Sequence, residues 1–222
     1  YFIQEEIENN IEIDTDELGV PANFNINSNL KSQYTFDNFV VGTSNKFAKA
    51  TSLAVAEKPG NMYNPLFIYG NSGLGKTHLM HAIGNYIINN SKKNVLYVTC
   101  EQFVNDFTDL YRKNKNESNI DNVKRFKQKY RDIDVLMIDD IQYLQVANMA
   151  QQEFFNTFNE LYNNNKQIII ASDRSPDDLK MLEDRLKTRF NWGITISILP
   201  PEFELRMAII DKKIENNDIV PE

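Results

Sequence analysis

The octapeptide Gly70-Asn71-Ser72-Gly73-Leu74-Gly75-Lys76-Thr77 constrains this chain more than any other stretch. It fits the pattern G-x-x-x-x-G-K-[ST], and its setting is as informative as its letters. The apolar run Leu66 to Tyr69 precedes it, and Leu79, Ile83 and Ile87 follow at i, i+4 and i+8, flanked by Met80 and Ile88. Strand, glycine-rich turn and amphipathic helix, in that order, are what a phosphate-wrapping loop needs. Glycines let the backbone close on the anion, and N–H groups at the helix N-terminus attract it. Lys76 would neutralise β/γ oxygens, and Thr77 would offer a hydroxyl to magnesium. The expected occupant is ATP or ADP with Mg2+, contacted by Gly70, Asn71, Ser72, Gly73, Leu74, Gly75, Lys76, Thr77 and the adjoining His78. Beyond that contact His78 and His81 read as packing or surface residues, since neither has Cys or acidic partners at metal spacing.

Four further apolar runs recur downstream: Val95 to Thr99, Val135 to Ile138, Ile168 to Ser172 and Ile194 to Ile198. Runs of this length suit strands buried on both faces. Helical patterns lie between them, as in Phe154, Phe155, Phe158 and Leu161. Strands alternating with helices predict an α/β fold, a mainly parallel sheet sandwiched by helices. Pro200 and Pro201 then break the chain before a last helix expected over Glu202 to Glu215.

A phosphate loop needs an acid at the end of a neighbouring strand, and Val135-Leu136-Met137-Ile138-Asp139-Asp140 supplies one. Asp139 would hold the magnesium through water, while Asp140 could polarise an attacking water. The run ending at Ser172 places Asp173 at the same sheet edge, where ligands of open α/β sheets bind. Asp173 could therefore sense the γ-phosphate or the attacking water. Arg185 and Arg189 stand at i, i+4 in Asp184 to Phe190 and share one face of a predicted helix. Two readings are open: a surface salt-bridge face with Glu183 and Asp184, or a guanidinium aimed at a neighbouring subunit's nucleotide.

Charge is unevenly spread. Residues 1–33 carry seven acids against Lys31, so the formal −7 of the whole leaves about −1 for residues 34–222. That first segment is acidic and Asn-rich, with few apolar positions after Ile13, and reads as a flexible linker over 1–33. One cysteine, Cys100, allows no intrachain disulfide and reads as a small apolar side chain, and no run is long enough to span a membrane. A reducing cytoplasm is the expected compartment. The chain opens at Tyr1 and has the look of a piece of something longer.

The stretches YTFDNFVVGTSNKFAKA, NPLFIYGNSGLGKTHLMHAIGNYI, VLMIDDIQYL, QEFFNTFNELYNNNKQIIIASDR and EDRLKTRFNWGITISILPPEFELR together resemble the AAA+ ATPase domain of the bacterial chromosomal replication initiator family DnaA. The resemblance runs from Tyr34 to Asp211. It implies a five-stranded AAA+ P-loop domain over 34–198 and the start of a helical lid over 199–222. It also implies sensor 1 at Asp173, the arginine finger at Arg189 with Arg185 in the same box, and adenine-side contacts at Val40, Val41 and Asn45. Those three residues alone would read as a lead into a helix.

Family members assemble with ATP into a helical filament on origin DNA, and their slow ATPase acts as a switch. The resemblance thus implies self-association, origin DNA including single strands as a partner, and a replicative helicase or loader met through other parts. Two helices inserted after the second strand, here Gln102 to Tyr130, would face single-stranded DNA through Val104, Lys113 and Lys115. The insertion carries Arg112, Lys124, Arg125, Lys127 and Lys129 among aromatics that read as core, and by itself such a stripe is also an ordinary solvated helix face. Relatives carry basic residues in the loop after the Asp139 strand, whereas Gln145 to Ala150 is uncharged here. Feeble single-strand affinity follows. A DnaA-like regulator or helicase loader, a nucleotide-holding module and a P-loop small-molecule kinase are the alternative functions.

Overall fold

The computed structural model describes residues 28–110 and 119–217. Five strands form one parallel sheet: β1 (Leu66–Tyr69), β2 (Val95–Thr99), β3 (Val135–Asp139), β4 (Gln167–Ser172) and β5 (Ile194–Ser197). Their order across the sheet is β2-β3-β4-β1-β5. After β1 the chain crosses to the far edge and returns strand by strand, which makes the carboxyl end of β1 a topological switch point. The registers Tyr69 with Ser172 and Thr99 with Asp139 bring the polar strand ends to one edge.

Strand side chains alternate between two cores because the pleat has a period of two. Leu66, Ile68, Val135, Met137, Ile169 and Ala171 pack toward α1 (Lys46–Glu57) and α2 (Lys76–Asn90). Phe67, Leu136, Ile138, Ile168 and Ile170 pack the other way, toward α3 (Cys100–Asp109), α4 (Asn119–Arg131), α5 (Asn148–Asn163) and α6 (Asp184–Phe190). Both faces are covered, so the strands read as unbroken apolar runs. A final helix, α7 (Phe203–Asn217), follows β5 after the two prolines. Among the described residues no helix is long and apolar enough to cross a membrane.

The expected boundary at residue 34 lies too late. The Tyr97 N–H donates to Ser28 O at 3.0 Å, Asn29 Nδ2 donates to the Tyr97 carbonyl at 3.1 Å, and Leu30 sits where a Cβ on Gly84 would be. One backbone bond and one side-chain amide bond to an edge strand hold this segment, and that needs little apolar content.

Candidate nucleotide-binding site

Glycine geometry shapes the loop between β1 and α2. Gly75 has φ +97°, and a Cβ there would stand 3.0 Å from the Phe39 ring. Only glycine takes that conformation without cost, and it caps α2 with no side chain over the helix N-terminus. Asn71, Ser72 and Gly73 are exposed, whereas Lys76 is buried at 7%. Its Nζ donates to the carbonyls of Gly70 at 2.7 Å and Asn71 at 3.0 Å, curling over its own loop.

Thr77 Oγ1 donates to Asp139 Oδ2 at 2.7 Å, so the hydroxyl and the acid predicted to share a cation are in contact. The Tyr97 hydroxyl donates to the same oxygen at 2.9 Å, and Asp139 Oδ1 accepts the Asp140 N–H at 2.9 Å. Burial and the nearby Asp139 push the Tyr97 phenol well above its ordinary value, so it remains a donor. This donor set is all hard oxygen and fits magnesium, which keeps waters and phosphate oxygens beside one or two protein ligands. No three His, Cys, Asp or Glu side chains cluster to hold a metal among the described residues, so the ion would need oxygens from elsewhere.

Asp140 takes a left-handed conformation at φ 56°, which turns the chain sharply out of β3. Gln142 then links three features: its amide donates to Asp140 Oδ1 at 3.0 Å, while its Oε1 accepts from Ser172 Oγ at 3.4 Å and the Asp173 N–H at 3.3 Å. Asp173 lies one residue past β4 and is bidentate with Arg174 at 2.8 Å to each oxygen. That guanidinium holds its carboxyl below the usual carboxylate range, and Lys76 adds to the effect.

A cavity of about 490 Å³ lies beside the loop, lined by Gln33, Tyr34, Asn38, Phe39, Val40, His78 and, from α7, Ile209, Lys212 and Lys213. Val40 and His78 both line it, whereas Val41 is 44% exposed and does not. Asn45 is buried and acts on the wall instead, accepting the Gly42 N–H at 2.9 Å and donating to Val40 O at 3.0 Å. His78 Nε2 lies 2.9 Å from Thr35 O with its ring edge-on to Phe39. Burial lowers the pKa of both His78 and His81. Glu202, just before α7, accepts the Thr43 N–H at 2.8 Å, which fastens the last helix to the wall.

Of the two arginines, Arg185 pairs with Glu183 as a surface salt bridge, and Asp184 pairs instead with Lys187. Arg189 behaves differently. Its guanidinium lies 4.2 Å from the Trp192 ring and 4.8 Å from that of Phe155, with Nε donating to Asn159 Oδ1 at 2.5 Å. Trp192 is 46% exposed and forms one wall of this cradle. Two helices, α3 and α4, do lie between β2 and β3. Phe103, Phe107 and Phe126 are core, and Val104 is partly buried against them. Lys129 pairs with Asp106, and Arg131 with Glu153 and Glu160. Arg112, Lys113 and Lys115 fall outside the described residues.

Tyr97 and Gln142 were not singled out from sequence. Each is one polar residue in an otherwise ordinary run, and only the strand register brings it to the acids.

Comparison with known proteins agrees with this architecture. The bacterial DnaA ATPase domain family matches over residues 30–197. Domain III of the Thermotoga maritima replication initiation protein DnaA is 45% identical at a TM-score of 0.81, covering 87% of this chain and 78% of that one. DnaA from Aquifex aeolicus bound to AMPPCP is 36% identical at a TM-score of 0.77, and a replication initiator DnaA bound to AMPPCP and single-stranded DNA is 35% identical at 0.77. Each of those two covers 87% of this chain, which spans 58% of their length. The DnaC helicase loader, at 17% identity, a TM-score of 0.64, and covering 75% of this chain and 97% of its own, shares the fold. On the family match and the 45% identity to a DnaA domain, this chain belongs to the bacterial DnaA ATPase domain family.

Proposed function

We propose that this chain is the ATP-binding, slowly hydrolysing core of a replication initiator, in which bound ATP licenses assembly of copies of the chain on origin DNA. The observation that carries the reading is the contact of Thr77 with Asp139 beneath a loop whose lysine is already turned inward. Magnesium, when bound, would neutralise phosphate charge beside Thr77 and Asp139. Lys76 leaves the carbonyls of Gly70 and Asn71 for β/γ oxygens, the N-terminus of α2 receives the phosphates, and the base enters the cavity walled by Val40 and His78. Asp140, steadied by Gln142, orients the attacking water. Asp173, ionised and paired with Arg174, senses the γ-phosphate through the attacking water and keeps that guanidinium as its counter-charge.

Hydrolysis is slow because Lys76 by itself does not complete the neutralisation of charge on the transferring phosphoryl group. Arg189 of a neighbouring copy completes it. Single-strand binding is weak, since Val146 and Met149 are exposed and uncharged and Lys129 of the insertion and the adjoining Arg131 are already paired. Origin-plasmid unwinding by the full-length protein with ATP against ADP tests the reading. Unwinding with ATP alone is expected, and equal unwinding with both nucleotides would remove the switch.

A further inference from the structure

Asp139 is held from three sides, and one holder, the Tyr97 hydroxyl, comes from a residue with no assigned part in the nucleotide site. Its Oδ1 accepts the Asp140 N–H, and its Oδ2 accepts both Thr77 Oγ1 at 2.7 Å and the Tyr97 hydroxyl at 2.9 Å. Thr77 would ligate a cation through a lone pair of its hydroxyl oxygen and can go on donating its proton to Asp139, so its contact serves the metal directly, in the metal-free and the metal-bound state alike. The Tyr97 contact can persist in both. We infer that Tyr97 is a positioning residue for Asp139: its phenol fixes the carboxylate in the orientation that receives magnesium. The inference rests on reading Thr77 and Asp139 as the magnesium side of the site.

Tyr97 is itself gripped on more than one side. It lies on β2, the edge strand, where its N–H bonds Ser28 O at 3.0 Å and its carbonyl accepts Asn29 Nδ2 at 3.1 Å. Its ring rests 4.2 Å from that of His81, whose Nδ1 accepts the Lys31 N–H at 3.4 Å. Residues 28–31 thus brace both the backbone of Tyr97 and the ring it leans on. A phenol that served only to fill space would need neither an oxygen on Asp139 nor this bracing. Groups that orient a metal-binding carboxylate are worth about 10- to 100-fold in metal affinity.

The test is a Mg2+ titration of ATP binding by the wild type, Tyr97→Phe and Asp139→Asn, with ATP affinity in EDTA and the thermal midpoint measured alongside. Tyr97→Phe is expected to raise the Mg2+ concentration for half-maximal response about 10-fold, leaving EDTA affinity and midpoint close to wild type. Asp139→Asn should shift the response at least as far. A shift in Asp139→Asn without one in Tyr97→Phe overturns the role of Tyr97 alone. No shift in either overturns the magnesium-side reading beneath it. If Tyr97→Phe lowers EDTA affinity in parallel with the Mg2+ response, Tyr97 is a packing residue and the inference fails.

Discussion

Lys76 spends its hydrogen bonds on its own loop, and a phosphate would replace carbonyls with charged acceptors at the same nitrogen. Charge-assisted bonds contribute about 1.5–3 kcal/mol each, so Lys76→Ala should weaken ATP binding by about 10- to 100-fold in calorimetry while leaving the thermal midpoint of the nucleotide-free chain near wild type. Lys76, Thr77 and Asp139 were legible in the sequence because motif spacing ties each to a fixed place on a strand or helix. Tyr97, Gln142 and Trp192 were not, because their roles depend on which strand or helix lies next to them. The histidines add a pH dependence. Burial lowers His81, the charges of Lys31 and His78 lower it further and Asp139 opposes them, and burial likewise lowers His78. The unfolded chain therefore takes up more protons as pH falls through about 6.5, so stability is lost below that value and regained above it. Thermal midpoints between pH 5.5 and 7.5 should show this slope, and His81→Gln should flatten it.

Strands and helices are where sequence and structure agree best. Buried on both faces, the strands must be continuously apolar, and their runs were visible residue by residue. The order of strands was not, since it depends on long-range pairing that no local pattern encodes. The segment 28–33 was hidden for a related reason: its grip on β2 is made by the Ser28 carbonyl and the Asn29 amide, and Leu30 is its one large apolar side chain. α7 illustrates what an element contributes to the site. Its residues line the cavity, and Glu202 ties its start to Thr43 by a carboxylate that the N–H groups around it hold below the usual range. The bond is present above the ordinary carboxylate range and lost as pH falls beneath it. Glu202→Ala should speed hydrogen exchange of the α7 amides and weaken ATP binding severalfold, with exchange in the sheet unchanged.

For the molecule as a whole, the near-neutral charge of residues 34–222 and the pairing of Lys129 and Arg131 on α4 reduce the field that would attract a nucleic-acid backbone. Single-strand affinity of this chain should be weak and fall steeply with salt, and Met149→Lys should strengthen it. Assembly is the larger consequence. Arg189 sits in a cradle of Phe155, Trp192 and Asn159 that engages only its Nε, and its terminal nitrogens make no hydrogen bond among the described residues. A guanidinium so presented can serve a nucleotide that belongs to another copy. The most direct measurement is sedimentation velocity of the wild type and Arg189→Ala, each with ATP and with ADP, beside ATP binding to the monomer. The wild type should assemble with ATP alone, and Arg189→Ala should bind ATP within about twofold of wild type yet stay monomeric, as a group acting only across the interface requires. Assembly of Arg189→Ala equal to wild type, or a matching fall in its monomer ATP affinity, would contradict the shared site.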